Sequence, residues 1–178
     1  MTHFTFISMK LASILDNSMI KGKRLCMQEI LEVKINKANL KRVNLNESDF
    51  NRANLIGADL IEANLKESYF KGVNFREANL YGANLEGANL KEANLREANL
   101  KGADLRETNL IGIDLREANL RKANLDGANL EGANFEGADL NWAILRGANL
   151  SKSDLAWTNF TGANLEWADL IRGKPQGN

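Results

Sequence analysis

The chain has 178 residues, with 23 Lys+Arg against 23 Asp+Glu and a formal net charge of zero. That balance argues against a general nucleic-acid binder, which needs a surplus of positive charge. One histidine (His3) and one cysteine (Cys26) leave no material for an intrachain disulfide, a Cys/His zinc site or a histidine-based triad.

Residues 1–22 form the N-terminal segment. Ile7, Leu11, Ile14, Leu15 and Ser18 fall on helical spacing, and Gly22 before Lys23 and Arg24 reads as a helix stop. The pattern predicts a short capping helix. Its apolar run is short, Lys10 interrupts it, and Asp16-Asn17 follows at once, unlike an export signal. A cytoplasmic location is the expectation, with export kept open. No stretch approaches the length of a membrane-spanning helix, so no membrane partner is expected. Met9 competes with Met1 as the start, because residues 2–8 add little to the pattern, and His3 gets no role.

Residues 23–37 hold Leu25, Ile30 and Ile35 at five-residue intervals. The residues two before them, Lys23, Gln28 and Val33, are not small, so these are degenerate first repeats. Cys26 has no apparent activating neighbour and reads as a core filler, not a reactive thiol.

Residues 38–172 are 27 units of five. Each unit has a centre, Leu in 22 units and Phe in 5, running from Leu40 to Leu170. Two residues earlier stands Ala or another small or β-branched residue. One residue earlier stands Asn or Asp, except at Tyr69 and Ile144. The two residues after the centre are mostly polar, charged or Gly. A repeat this regular is read before any local secondary structure.

Period five fits neither helix nor straight strand. In an α-helix, five residues advance about 500°, which spreads the leucines around the cylinder. In a strand an odd period sends successive leucines to opposite faces. Within one unit, however, Ala and Leu are two apart and share a face. The chain must turn before the next unit, and a corner every five residues winds it into a tube. Asn, Asp and Gly suit such corners, by tolerating left-handed backbone angles or by capping turns. Proline is absent from all 27 units, as stacked coils that need backbone donors require.

The run Ala78-Asn79-Leu80 through Ala98-Asn99-Leu100 resembles the pentapeptide-repeat family. The resemblance covers about three quarters of the chain and is specific for fold, far less so for function. It implies an all-β solenoid, a right-handed four-sided (quadrilateral) β-helix with one unit per side and twenty residues per coil. The N-terminal helix then matches the cap found in this family. On four sides the units make just under seven coils, roughly 32 Å at a spacing of ~4.8 Å. Phe50 and Phe70 then stack on adjacent coils. Val73 and Ile113 share a column with Ala53, Ala93 and Ala133, so large and small core residues alternate.

Residues 173–178 are a short polar tail, disordered or loosely docked, leaving Leu155, Phe160, Leu165 and Leu170 with little to cover them. Trp142, Trp157 and Trp167 cluster at this end. They shield the corners of the last coils, form an interface that joins two tubes, or stack on a ligand. The second reading makes Trp157, Phe160, Leu165, Trp167 and Leu170 the interface of a tail-to-tail homodimer.

Chemistry needs unlike groups converging in a cleft, and a repetitive convex surface offers none. No catalytic residue, cofactor or metal site is expected. The candidate partner surface is a stripe: Arg76, Arg96 and Arg116 in one column, Glu77, Glu97 and Glu117 in the next. It reads as a solvated ion-pair ladder or as a docking stripe. The expected function is a non-enzymatic protein–protein interaction scaffold or regulator, similar to cyanobacterial family members, with an unknown protein partner. The alternative is a DNA mimic that binds type II topoisomerase, as the quinolone-resistance members do. Mimicry needs dense negative charge, and the repeat span carries 16 Lys/Arg against 20 Asp/Glu, only −4.

Overall fold

The computed structural model describes residues 37–171. The expected capping helix, the degenerate repeats up to residue 36, Cys26, both candidate starts and the tail lie outside the described residues.

Within that span the chain repeats one conformation: two turn residues, then a short extended segment carrying a single β-bridge. Every bridge is parallel and joins a residue to the one twenty later, from Asn39–Asp59 to Asn149–Asp169. Twenty residues at five per unit give four sides to each coil. The extended segments are too short to build strands, because a corner interrupts them every five residues. The sheet on each side is therefore a stack of isolated bridges. The four faces are named here by a central leucine each: the Leu100, Leu105, Leu110 and Leu115 faces.

The hydrogen bonds explain why the ladder needs no particular side chain. Each centre N–H donates to the carbonyl before the next coil's centre, as Leu100 to Asn119 at 2.7 Å. The bridging residue donates backwards, as Asn99 to Ala78 at 2.9 Å. Each corner closes with a third bond, as Ala103 N–H to the Leu100 carbonyl at 3.0 Å.

The side chains then sort by position. The centres and the small residues two before them point inward and are buried from Leu40 to Leu150, except Val43, which is half-buried. The Phe50 and Phe70 rings are stacked with centroids 5.5 Å apart and planes 15° from parallel, as the column predicts. Val73 and Ile113 are buried between Ala53, Ala93 and Ala133. Ser68 replaces an alanine inside the tube without leaving a polar atom orphaned. Its hydroxyl donates to the Leu45 carbonyl at 2.7 Å and accepts the Ser48 N–H at 3.3 Å.

The corners divide the labour more sharply than expected from the sequence. Asn and Asp are not the left-handed residues. They occupy the bridging position, where Oδ1 accepts the N–H two residues on, as Asn94 from Arg96 at 3.0 Å and Asn99 from Lys101 at 3.2 Å. Where Tyr69 breaks the column, the Lys71 N–H is taken instead by Asn51 Oδ1 of the preceding coil, at 2.7 Å. The positive φ falls on the second residue after each centre. That residue is Gly at 11 corners but a residue with a side chain at 16, most often Glu. The ladder holds these residues in a conformation they would not choose alone.

Candidate interaction surface

The tube presents three features that distinguish one side or end from another. The first is the predicted stripe on the Leu115 face. Arg76 Nη2 lies 2.9 Å from Glu77 Oε1 and 3.7 Å from Glu97 Oε1. Arg96 repeats the pattern one coil on, at 3.2 Å from Glu97 and 2.9 Å from Glu117. Each arginine thus ties its own corner carboxylate to the next one up. The stripe ends at Arg116, which turns away from Glu117 to Asp114 at 2.7 Å. Two sequence changes account for this. The next corner in that column is Gly137, which has no carboxylate, and the bridging residue before Leu115 is Asp, where the lower coils have Asn74 and Asn94. The guanidinium beside Asp114 holds its carboxyl below the usual range, chiefly through their side-chain hydrogen bonds.

The second feature lies on the Leu105 face and was not singled out from the sequence. Lys66, Glu86, Arg106, Asp126, Arg146 and Glu166 follow successive centres at intervals of twenty, so the column alternates in sign from the second described coil, above the uncharged Asn46, to the last. Lys66 reaches Glu86 at 3.1 Å, Arg106 reaches Glu86 at 3.0 Å, and Arg146 reaches Asp126 at 2.8 Å. Arg106 also grips Asp104 at 2.6 Å, which holds the Asp104 carboxyl below its ordinary pKa. The twenty-residue register that aligns Arg76, Arg96 and Arg116 aligns this column as well.

The third feature is the C-terminal end. The centres of the first described coil are buried, Leu40 at 3% and Leu45 at 2% exposure. On the last coil Leu155, Phe160 and Leu165 are only partly buried and Leu170 is 46% exposed. Trp157 and Trp167 are 88% and 82% exposed. Trp142, one coil below, is at 60%, with its indole against Gly162. All three tryptophans sit at corners with φ between 58° and 62°.

Among the described residues no group of three or more His, Cys, Asp or Glu is placed to hold a metal ion. No helix among them is long and apolar enough to cross a membrane.

The pentapeptide-repeat family profile matches in eight copies, over residues 38–76, 74–112, 98–137, 113–151 and 138–172. The chain belongs to the pentapeptide-repeat family. Its members form right-handed quadrilateral β-helices, in accord with the twenty-residue register seen here. No curated protein matches the chain. Among solved structures, the chain is similar to HetL of the cyanobacterium Nostoc sp. strain PCC 7120, a protein involved in regulating heterocyst differentiation. They share 29% identity over 90% of this chain and 95% of HetL, with a TM-score of 0.29. A pentapeptide repeat protein of the Arabidopsis thaliana thylakoid lumen shares 26% identity over 68% of this chain and 78% of that one, with a TM-score of 0.46. The fluoroquinolone-resistance protein QnrB1 shares 18% identity over 84% of this chain and 87% of its own, with a TM-score of 0.38.

Proposed function

We propose that the protein is a non-enzymatic interaction scaffold, acting in the cytoplasm, that recognises a protein partner through its charged columns. The observation that carries this reading is the Arg76–Glu97 and Arg96–Glu117 ladder. It fixes charges of both signs at the coil spacing on a backbone that cannot rearrange locally without breaking bonds to two neighbouring coils. A rigid array of this kind discriminates partners by charge register, with little ordering cost on its own side. Because the guanidinium groups already have partners, docking exchanges ion pairs and adds few new ones. Orientation and specificity are what it supplies. The same arginines weigh against a nucleic-acid mimic, since they break the run of negative charge that such a surface requires.

The test is affinity capture from the native cell with wild type beside an Arg76→Glu, Arg96→Glu, Arg116→Glu variant. The stability of both is checked by thermal melting. Loss of a specific captured protein by a folded variant supports the docking stripe. Capture of the same proteins by both would leave the columns as solvated ladders.

A further inference from the structure

We infer that the corner after the Leu100 face is a docking site for an extended acidic segment of a protein partner, with an apolar residue at each end of that segment. The inference deepens the scaffold reading, on which it rests for a protein partner, but it uses a different corner from the Arg76–Glu117 ladder.

The diagonal register of the corners sets up the site. The first residue after a centre meets the second residue after the next coil's centre. Arg96 and Glu117 meet in this way at 2.9 Å, and Glu131 and Lys152 at 2.6 Å. Both pairs join opposite charges. The same relation brings Lys101 to Lys122. Among the described residues neither ammonium has an ion-pair partner. The other like-charged diagonal among them, Glu86 with Glu107, is compensated, because Lys66 and Arg106 lie 3.1 and 3.0 Å from Glu86. At Lys101 and Lys122 the tube supplies cations without the matching anion. Arg121, next to Lys122, adds a third positive charge and pairs with Asp139 at 3.1 Å.

The cluster lies between two exposed aromatic side chains on the same corner. Tyr81 stands one coil below Lys101 and is 43% exposed, and Trp142 stands one coil above Lys122 and is 60% exposed. Three coil steps separate them, about 14 Å at ~4.8 Å per coil. An extended segment of about five residues covers that length, at ~3.3 Å per residue. Its first, third and fifth side chains share a face. Apolar ends therefore meet Tyr81 and Trp142 while a central carboxylate settles between Lys101 and Lys122. That carboxylate gives the lysine pair what Glu117 gives Arg96. The backbone is open at Gly102, which has nothing within 4 Å of its Cβ position, so the main chain of the segment can come close there.

The chemistry selects a chain of carboxylates over a small anion. Lysine ammoniums are hydrated point charges without the planar fork that grips a phosphate bidentately. On a convex corner they cannot enclose a free ion, and one exposed ion pair contributes little by itself. Several carboxylates on one strand steer it to the corner, and the apolar ends hold it there.

The test is a titration of the full chain with the capped peptide Phe-Glu-Glu-Glu-Phe, followed by backbone amide shifts in ~0.1 M salt. The expected result is a Kd of ~1 mM or tighter, with the largest shifts at Lys101, Gly102 and Lys122. Lys101→Glu, Lys122→Glu should weaken binding at least ~10-fold. Folding is retained in that variant, since Glu already occupies many of the left-handed corners. Arg76→Glu, Arg96→Glu makes the same change in net charge on another corner and should bind within ~3-fold of wild type. No shift at the three amides at ~5 mM peptide overturns the inference. An equal loss in both variants shows attraction to overall charge and also refutes it. So does an oligothymidylate of about four nucleotides that binds the same amides more tightly, because the corner is then a single-strand site. Failure of the peptide, with a captured partner still lost in the arginine variant, refutes this inference alone and leaves the scaffold reading in place.

Discussion

The indole of Trp142 lies against Gly162 one coil on, so closely that an ideal Cβ on that glycine would fall 2.7 Å from two ring carbons. Gly162 also has φ +70°. The pair therefore depends on glycine twice, once for backbone angle and once for space. Gly102, at φ +69° with nothing within 4 Å of its Cβ position, depends on it once.

Comparing the two separates these demands. Gly102→Ala should cost about 1–2 kcal/mol, the left-handed penalty alone. Gly162→Ala should cost at least ~1 kcal/mol more, as the indole is forced aside. Urea denaturation of both variants measures the difference. Equal losses would mean that Trp142 swings away freely.

Core and surface should respond very differently at adjacent positions. Leu100 is fully buried mid-tube, and Leu100→Ala should cost ~2–5 kcal/mol through the cavity it leaves. Lys101 is exposed, and Lys101→Ala should change stability by no more than ~0.5 kcal/mol. Similar effects at both positions in equilibrium unfolding would contradict the inward placement of the centres.

Acid should weaken the fold through two specific carboxylates. Arg106 and Arg116 lower the pKa values of Asp104 and Asp114 in the folded chain, mainly by side-chain hydrogen bonds. A depressed folded pKa contributes stability that is present above the unfolded value of about 4 and is lost as pH falls through the folded value. The Asp104→Asn, Asp114→Asn variant should melt lower than wild type at pH 7. Below about pH 4 the two curves should converge. Parallel curves down to pH 2 would show that these carboxylates are not linked to folding.

The ion-pair ladder should matter little to stability, whatever it does for recognition. Arg96 bridges Glu97 and Glu117 at the surface. Arg96→Ala should cost at most ~1 kcal/mol at low salt and close to nothing in ~1 M NaCl. A larger, salt-independent loss would mean that the aliphatic stem of Arg96 packs against the tube and carries its effect.

The sequence alone determined the units, their inward residues and the core columns, because period five admits no regular helix or strand. A residue pair such as Ala98 and Leu100 must share a face whatever the number of sides. The stacking of Phe50 on Phe70 followed once twenty residues per coil was adopted, but that number came from family resemblance. Only the tertiary pairing of Asn39 with Asp59, and of each bridging residue after it, fixes four sides. The alternating column from Lys66 to Glu166 follows from the same adopted number, as the Arg76, Arg96 and Arg116 column does, but which of its charges pair is decided only by the folded side chains. The turn of Arg116 to Asp114 depends on Gly137 one coil away, a neighbour that exists only in the folded tube. The left-handed angles at Trp157 and Trp167 lay beyond local preference altogether. No propensity scale puts tryptophan at positive φ; the ladder imposes it, because every corner must match the coils it bonds to.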